Sequence, residues 1–137
     1  MTQESLTGNA SAQQVVQSMM DAWSRNDVEG VVATFAPDAT VESPLVQRVL
    51  NRKDGVCRGH DEIGELVRAI AKRGRPWGGH RPPLVRGNTV AVEYTSPSSD
   101  DVPVSVDLIE VKDGKIQSLR AYLGWRAVAA MTGQGPG

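Results

Sequence analysis

The order of residue patterns along the chain predicts an α+β domain in which one curved antiparallel sheet wraps around three N-terminal helices. Three observations carry that expectation. Two stretches of helical periodicity precede the first strand pattern, and a third follows it. The C-terminal half then alternates as an antiparallel meander. Each long strand of that meander has apolar residues, so the sheet needs helices against it.

Met1 to Ala10 is small and polar and reads as a disordered tail. From Ser11, Val15, Val16, Met19, Met20 and Trp23 recur at three- and four-residue spacing, the mark of an amphipathic helix closed by Asn26 and Asp27. Val28, Val31, Val32 and Phe35 continue the helical period up to Pro37, which cannot sit inside a helix. Ala39 to Ser43 alternates as a short strand. Pro44 to Gly59, carrying Arg48, Arg52, Lys53 and Arg58, reads as a long irregular segment of the kind that forms lids, with Leu45 to Leu50 able to make a helical turn. A third helix spans Asp61 to Arg73, with Ile63, Leu66, Val67 and Ile70 as its stripe and Gly74 as its stop. Strands are expected at Leu84 to Arg86, Val90 to Thr95, Val104 to Lys112 and Lys115 to Trp125. Asp113-Gly114 is a strong two-residue hairpin signal between the last two. The expected division is a single domain over residues 11–126 and a flexible C-terminal tail over residues 127–137.

With 137 residues the chain has the commonest single-domain size. Fifteen Lys plus Arg balance sixteen Asp plus Glu, so the basic excess that binds a phosphate backbone is missing and no nucleic acid partner is expected. A single cysteine, Cys57, excludes an internal disulfide and fits a reducing compartment. His60 and His80 lie without the spacing of a metal site, so no metal is expected. No stretch approaches the length of a membrane span and the N-terminus lacks a signal pattern, so the expected location is cytoplasmic. Aromatic residues make up only 4% of the chain, which gives each ring a large share of core or pocket area.

Strand parity assigns faces to the meander. Val90, Val92 and Tyr94 share one; Leu119, Ala121 and Leu123 share another; and counting along the penultimate strand puts Val106, Leu108 and Glu110 together. The opposite faces carry Ile109, Val111, Ile116 and Tyr122, mixed with Glu93, Asp107 and Arg120. Both faces are therefore partly apolar. Helices cover one, and a second copy of the chain, forming a homodimer through the outer sheet face, is the simplest cover for the other.

The run from Asp27 to Pro44, DVEGVVATFAPDATVESP, resembles the second helix and first strand of the nuclear transport factor 2-like superfamily, within it the SnoaL-like polyketide cyclase and ketosteroid isomerase branch. Arg58-Gly59-His60-Asp61-Glu62-Ile63, Asp107-Leu108-Ile109-Glu110-Val111, Asp113-Gly114-Lys115-Ile116-Gln117 and Arg120-Ala121-Tyr122 extend the resemblance over about Ala12 to Trp125. It implies a cone-shaped half barrel that holds a small apolar molecule, without a cofactor, and a dimer across the back of the sheet. In the isomerases of that branch the proton-shuttling Asp precedes the Pro that ends the first strand; here that position is Ser43, which has no usable basicity near neutral pH. Their enolate-binding Tyr falls at Met19, and their second oxyanion donor, an Asp kept protonated by an apolar site, aligns with Glu110. Ketosteroid isomerisation by that set is not expected. Ala121 likewise stands where the epoxide-hydrolase branch needs a carboxylate, and Val90 to Val92 offers no Arg and Asp pair.

Glu110 is the expected acid or base, desolvated beside Val106 and Leu108, against the plainer reading of a glutamate paired with an Arg at the open end of the cone. Tyr94 is a candidate donor to a ligand carbonyl, or a core tyrosine. Ser43 is a candidate donor, or the cap beside Pro44. The expected ligand-binding wall comprises Met19, Trp23, Phe35, Val41, Leu66, Ile70, Val92, Leu108, Leu119, Ala121 and Leu123, with Trp77 at the mouth. Two functions follow from these residues. The first is a small-molecule-binding protein acting as a cofactor-independent isomerase or cyclase next to a carbonyl. The second is a non-catalytic binding or dimeric assembly module with a vestigial pocket.

Overall fold

The computed structural model describes residues 9–74, 77–96 and 99–132. Helix α1 (Asn9–Ser24) buries Ala12, Val16 and Met19, and begins at Asn9, inside the stretch read as a tail. Asn26 takes the left-handed conformation, φ 55°, that turns the chain, a conformation Asn tolerates better than most side chains. Asp27 then caps α2 (Val28–Ala33) by accepting from the Gly30 N–H at 3.0 Å. A Cβ on Gly30 would meet the end of the Asp27 side chain, which would have to shift within the cap.

Phe35 does not continue α2. The Thr34 carbonyl accepts from the Ile116 N–H at 2.8 Å, and Phe35 opens strand β1 (Phe35–Glu42) opposite Ile116. Pairing with the sheet thus overrides a helical period that reached Pro37. The segment read as irregular is partly regular: α3 (Pro44–Leu50) follows directly, capped by Ser43 and ended by Asn51 at φ 54°. Strand β2 (Val56–Arg58) then pairs antiparallel with β1, leaving residues 51–55 without helix or strand. Helix α4 (Gly59–Arg73) buries Ile63, Leu66, Val67 and Ile70 as its periodicity requires.

Strands β3 (Gly79–His80) and β4 (Leu84–Arg86) both pair with β5 (Thr89–Ser96). Strand β6 (Ser99–Lys112) turns at Asp113 and Gly114, φ 52° and 76°, into β7 (Lys115–Leu123). The seven strands form one curved, unclosed sheet in the order β2-β1-β7-β6-β5-β3, with β4 beside β5. The β1–β7 pair is parallel and the remaining pairs are antiparallel. Helix α1 packs on β5 and β6, and α4 on β1. The last strand stops at Leu123, short of Trp125, and residues 125–132 form helix α5 instead of a loose tail. Ala129 on α5 is fully buried, and Trp125 is 68% exposed. Among the described residues no helix is long and apolar enough to cross a membrane.

The hairpin between β6 and β7 contains one irregularity, which reverses the side-chain parity of β7. Val111 pairs with Ile116, but Glu110 pairs with Ser118, so Gln117 is an extra residue on β7. Beyond it Ile109 lies opposite Leu119 and Val90, and Asp107 lies opposite Ala121 and Val92. Directly opposed residues share a face. The face assignment stands for β5 and for Leu119 and Ala121 of β7, whereas Ile116, read as outward, is fully buried, and the assignment for β6 is reversed: Ile109 and Val111 are buried under the helices, and Glu110 is exposed on the outside. Leu108 and Val106 go outward with it, opposite Arg120 and Tyr122. Replacing Ile109, which is fully buried on this central strand, by alanine should lower the free energy of unfolding in urea by about 3 kcal/mol.

Candidate functional site

The concave side of the sheet and the helices enclose a cavity of about 80 Å³. Its wall is built from every layer. Met19 and Trp23 come from α1, Val31 from α2, Phe35 and Val41 from β1, Leu45 from α3, and Ile63, Leu66, Val67 and Ile70 from α4. Trp77 closes it from the segment after α4, and Tyr94, Asp107, Leu119 and Ala121 from β5, β6 and β7. Only Ser43, Tyr94 and Asp107 carry reactive polar groups there, and no Lys, Arg or His contributes among the described residues.

Of the ligand wall expected from sequence, Met19, Trp23, Phe35, Val41, Leu66, Ile70, Leu119 and Ala121 line this cavity. Val92 is fully buried and does not line it. Nor do Leu108 and Leu123; Leu108 faces outward opposite Arg120, and Leu123 is half-buried opposite Ser105. Ser43 occupies both positions considered for it. Its Oγ accepts from the Leu45 N–H at 3.1 Å, capping α3, and the residue also lines the cavity while only 5% exposed.

Glu110 requires correction as the acid or base. It is exposed, accepts from the Ser118 hydroxyl at 2.9 Å and pairs with Arg120 at 3.4 Å. The regular alternation of β6, in which Val111, Ile109 and Asp107 all face inward, the last two opposite Val90 and Val92 of β5, turns Glu110 away from the cavity and Asp107 in. Asp107 was legible only as a residue of the opposite face.

Asp107 and Tyr94 form the polar centre of the cavity. Desolvation pushes the Asp107 carboxyl up to about 7, and a hydrogen bond from the Tyr94 hydroxyl partly opposes that rise. The Tyr94 hydroxyl is itself held well above its ordinary range, chiefly by burial and then by the neighbouring Asp107 charge, so it stays protonated as a donor. Trp77 lies 5.3 Å from both Tyr94 and Trp23, edge-on to Trp23 at 87°. The rings thus continue from the carboxyl along one wall.

The remaining candidates lie elsewhere. His60 Nε2 contacts the Phe35 carbonyl at 2.8 Å, and His80 sits on the rim, its ring 6.3 Å from that of Tyr94. The basic segment is engaged in ion pairs, Arg52 with Glu62 at 2.9 Å and Arg58 with Asp54 at 3.6 Å. Cys57 is fully buried, and burial raises its thiol above the ordinary value, which leaves it unreactive. Among the described residues no cluster of metal-ligating side chains occurs.

An aspartate in the unfolded chain ionises near ~3.9, well below the folded value for Asp107. Its contribution to stability is therefore full below about pH 4 and is lost as pH rises through 7. Asp107→Asn cannot ionise, so its melting temperature should gain on the wild type between pH 5 and pH 8; a constant difference would show that Asp107 ionises as it does when unfolded.

Several solved structures share this architecture. A SnoaL-like protein of unknown function from Burkholderia thailandensis is 19% identical, with 84% of this chain and 95% of that one covered at a TM-score of 0.70. TerC co-crystallised with polyporic acid is 20% identical, covering 89% of this chain and 96% of its own at 0.64. A candidate polyketide cyclase from Sinorhizobium meliloti is 24% identical, covering 80% and 94% at 0.59. At these identities the likeness shows the fold. A comparison with curated proteins finds no match. The model of the SnoaL-like domain matches residues 16–119, from the first helix to the strand that carries Leu119, and the chain belongs to that family.

Proposed function

We propose that the protein binds a small, largely apolar molecule in this cavity and moves a proton next to a carbonyl group of it, without a cofactor. The observation that carries the reading is Asp107, a carboxyl on an otherwise apolar wall whose ionisation falls near neutral pH. An acid or base works best when its pKa lies near the working pH. Asp107 takes the proton from carbon as carboxylate and returns it as acid. The Tyr94 hydroxyl, beside it and permanently protonated, donates to the oxygen on which charge develops. Ser43, whose Oγ already accepts from Leu45, keeps its own proton for a ligand oxygen. The neighbour crystallised with polyporic acid and the candidate polyketide cyclase support a small-molecule ligand for this fold.

The outer face supports a homodimer. Tyr122 is 53% and Leu84 62% exposed there, and the Nε of Arg120 on the same face is buried without a partner. A second copy supplies both apolar cover and acceptors. Cytoplasmic residence belongs to the same reading, supported by the single buried thiol of Cys57.

Two measurements test this. Exchange of the α-protons of 2-tetralone in deuterium oxide should be accelerated by the protein, with a rate that rises through about pH 7. Asp107→Asn should lower that rate by about a hundredfold, and Glu110→Gln should leave it unchanged; exchange as fast in Asp107→Asn would overturn the assignment. In sedimentation, the wild type should run as a dimer and Tyr122→Glu as a monomer.

A further inference from the structure

The cavity wall has an uneven composition. The whole chain has three Trp, two Tyr and one Phe, and Trp23, Phe35, Trp77 and Tyr94 all line this one small space. Trp77 touches both Trp23 and Tyr94, with ring centroids 5.3 Å apart in each case. The same wall carries one carboxyl, Asp107, joined to Tyr94 by a hydrogen bond. Helices α1, α2, α3 and α4 and strands β1 and β7 contribute no titratable group to the wall, and β5 contributes only Tyr94. Among the described residues the wall therefore carries no cation facing Asp107, and the titratable group beside Tyr94 on β3 is His80, exposed, with its ring 6.3 Å from that of Tyr94.

We propose that the cavity recognises an organic cation, a protonated amine or quaternary ammonium on a small apolar skeleton, with Asp107 as its counter-ion and the rings of Trp23, Trp77 and Tyr94 as its walls. A wall of aliphatic side chains would satisfy a neutral apolar ligand equally well. Ring faces add an attraction that only a positive charge uses, and the attraction grows where water is excluded. A carboxylate whose partner is a neutral hydroxyl, in a desolvated site, favours the same charge. An anionic ligand meets Asp107 with no positive group to offset it. The inference rests on the cavity being the ligand site proposed above, and it adds the charge of the ligand.

Phenyltrimethylammonium and tert-butylbenzene have the same shape and differ in charge. Their binding can be read from the indole N–H resonances of Trp23 and Trp77, with the exposed Trp125 as an internal reference. At pH 8 the cation should bind at least about tenfold more tightly, and the preference should shrink at pH 5.5, where Asp107 is protonated. Asp107→Asn should level the two probes. Trp77→Leu, at a half-buried position outside the helices and strands, should reduce the preference with the fold intact. Equal or tighter binding of the neutral probe at pH 8, or binding of neither, would overturn the proposal. A neutral preference combined with proton exchange still lost in Asp107→Asn would remove the cation and leave the proton transfer standing.

Discussion

The register of β6 against β5, which seats Ile109 opposite Val90 and Asp107 opposite Val92, sets the electrostatics of both faces of the sheet. Side chains alternate across a strand, so a slip of one residue exchanges the two faces of everything beyond it. The extra Gln117 makes such a slip in β7, so that Ile116 and Leu119, three residues apart, both face inward opposite Val111 and Ile109. On β6 the alternation is unbroken, so Ile109 fills the core and Asp107 enters the cavity. The bulge is held by side chains as well as by the backbone. Gln117 Nε2 donates to Asp38 Oδ1 at 3.1 Å, and Lys115 Nζ donates to the Ala33 carbonyl at 2.8 Å. Asp38 belongs to the irregular part of β1, where the register against β7 also shifts. Two irregularities in neighbouring strands are thus tied together, and the one on β7 keeps Leu119 and Ala121 on the cavity side.

The consequence is a division of charge by face. Outside, the exposed Glu110 has Ser118 and Arg120 as its partners. Inside, Asp107 has a tyrosine hydroxyl and hydrocarbon. Two carboxylates three residues apart on one strand are given opposite chemistry by their surroundings. Residue type alone did not distinguish them.

Much of the architecture was legible because its causes are local. The stripe from Ile63 to Ile70, the stop at Gly74 and the Asp113-Gly114 turn all depend on neighbours within a few residues, and all appear where periodicity and turn chemistry put them. The family resemblance, carried by short runs in a fixed order, pointed to the same sheet and helices. What failed depended on distant partners. Phe35 fits a helix by spacing, and only the strand through Ile116 draws it into the sheet. Helix α5 was hidden by its position after a strand, although its alanines favour a helix once Gly124 has ended the ladder with a bond to Val104. The bulge left no mark in the sequence, since Gln is an ordinary strand residue on a polar edge. Met19, Trp23, Val41, Leu66, Ile70, Leu119 and Ala121 nonetheless line the cavity as expected, because they lie on α1, α4, β1 and β7, whose inward faces the patterning fixed.

Ser43 belongs at once to the cavity wall and to the cap of α3, the helix that brings Leu45 over the cavity. Aspartate caps a helix about as well as serine does. The fold can therefore exchange a hydroxyl for a second carboxylate at this point and keep the helix that closes the site. Chemistry and architecture are separable at that residue: a change that rewrites the reaction, from one ionisable group facing the ligand to two, leaves the scaffold's own hydrogen bond in place. In a cavity with so few polar positions, such a residue is where one ancestral pocket can diverge into several activities by single substitutions.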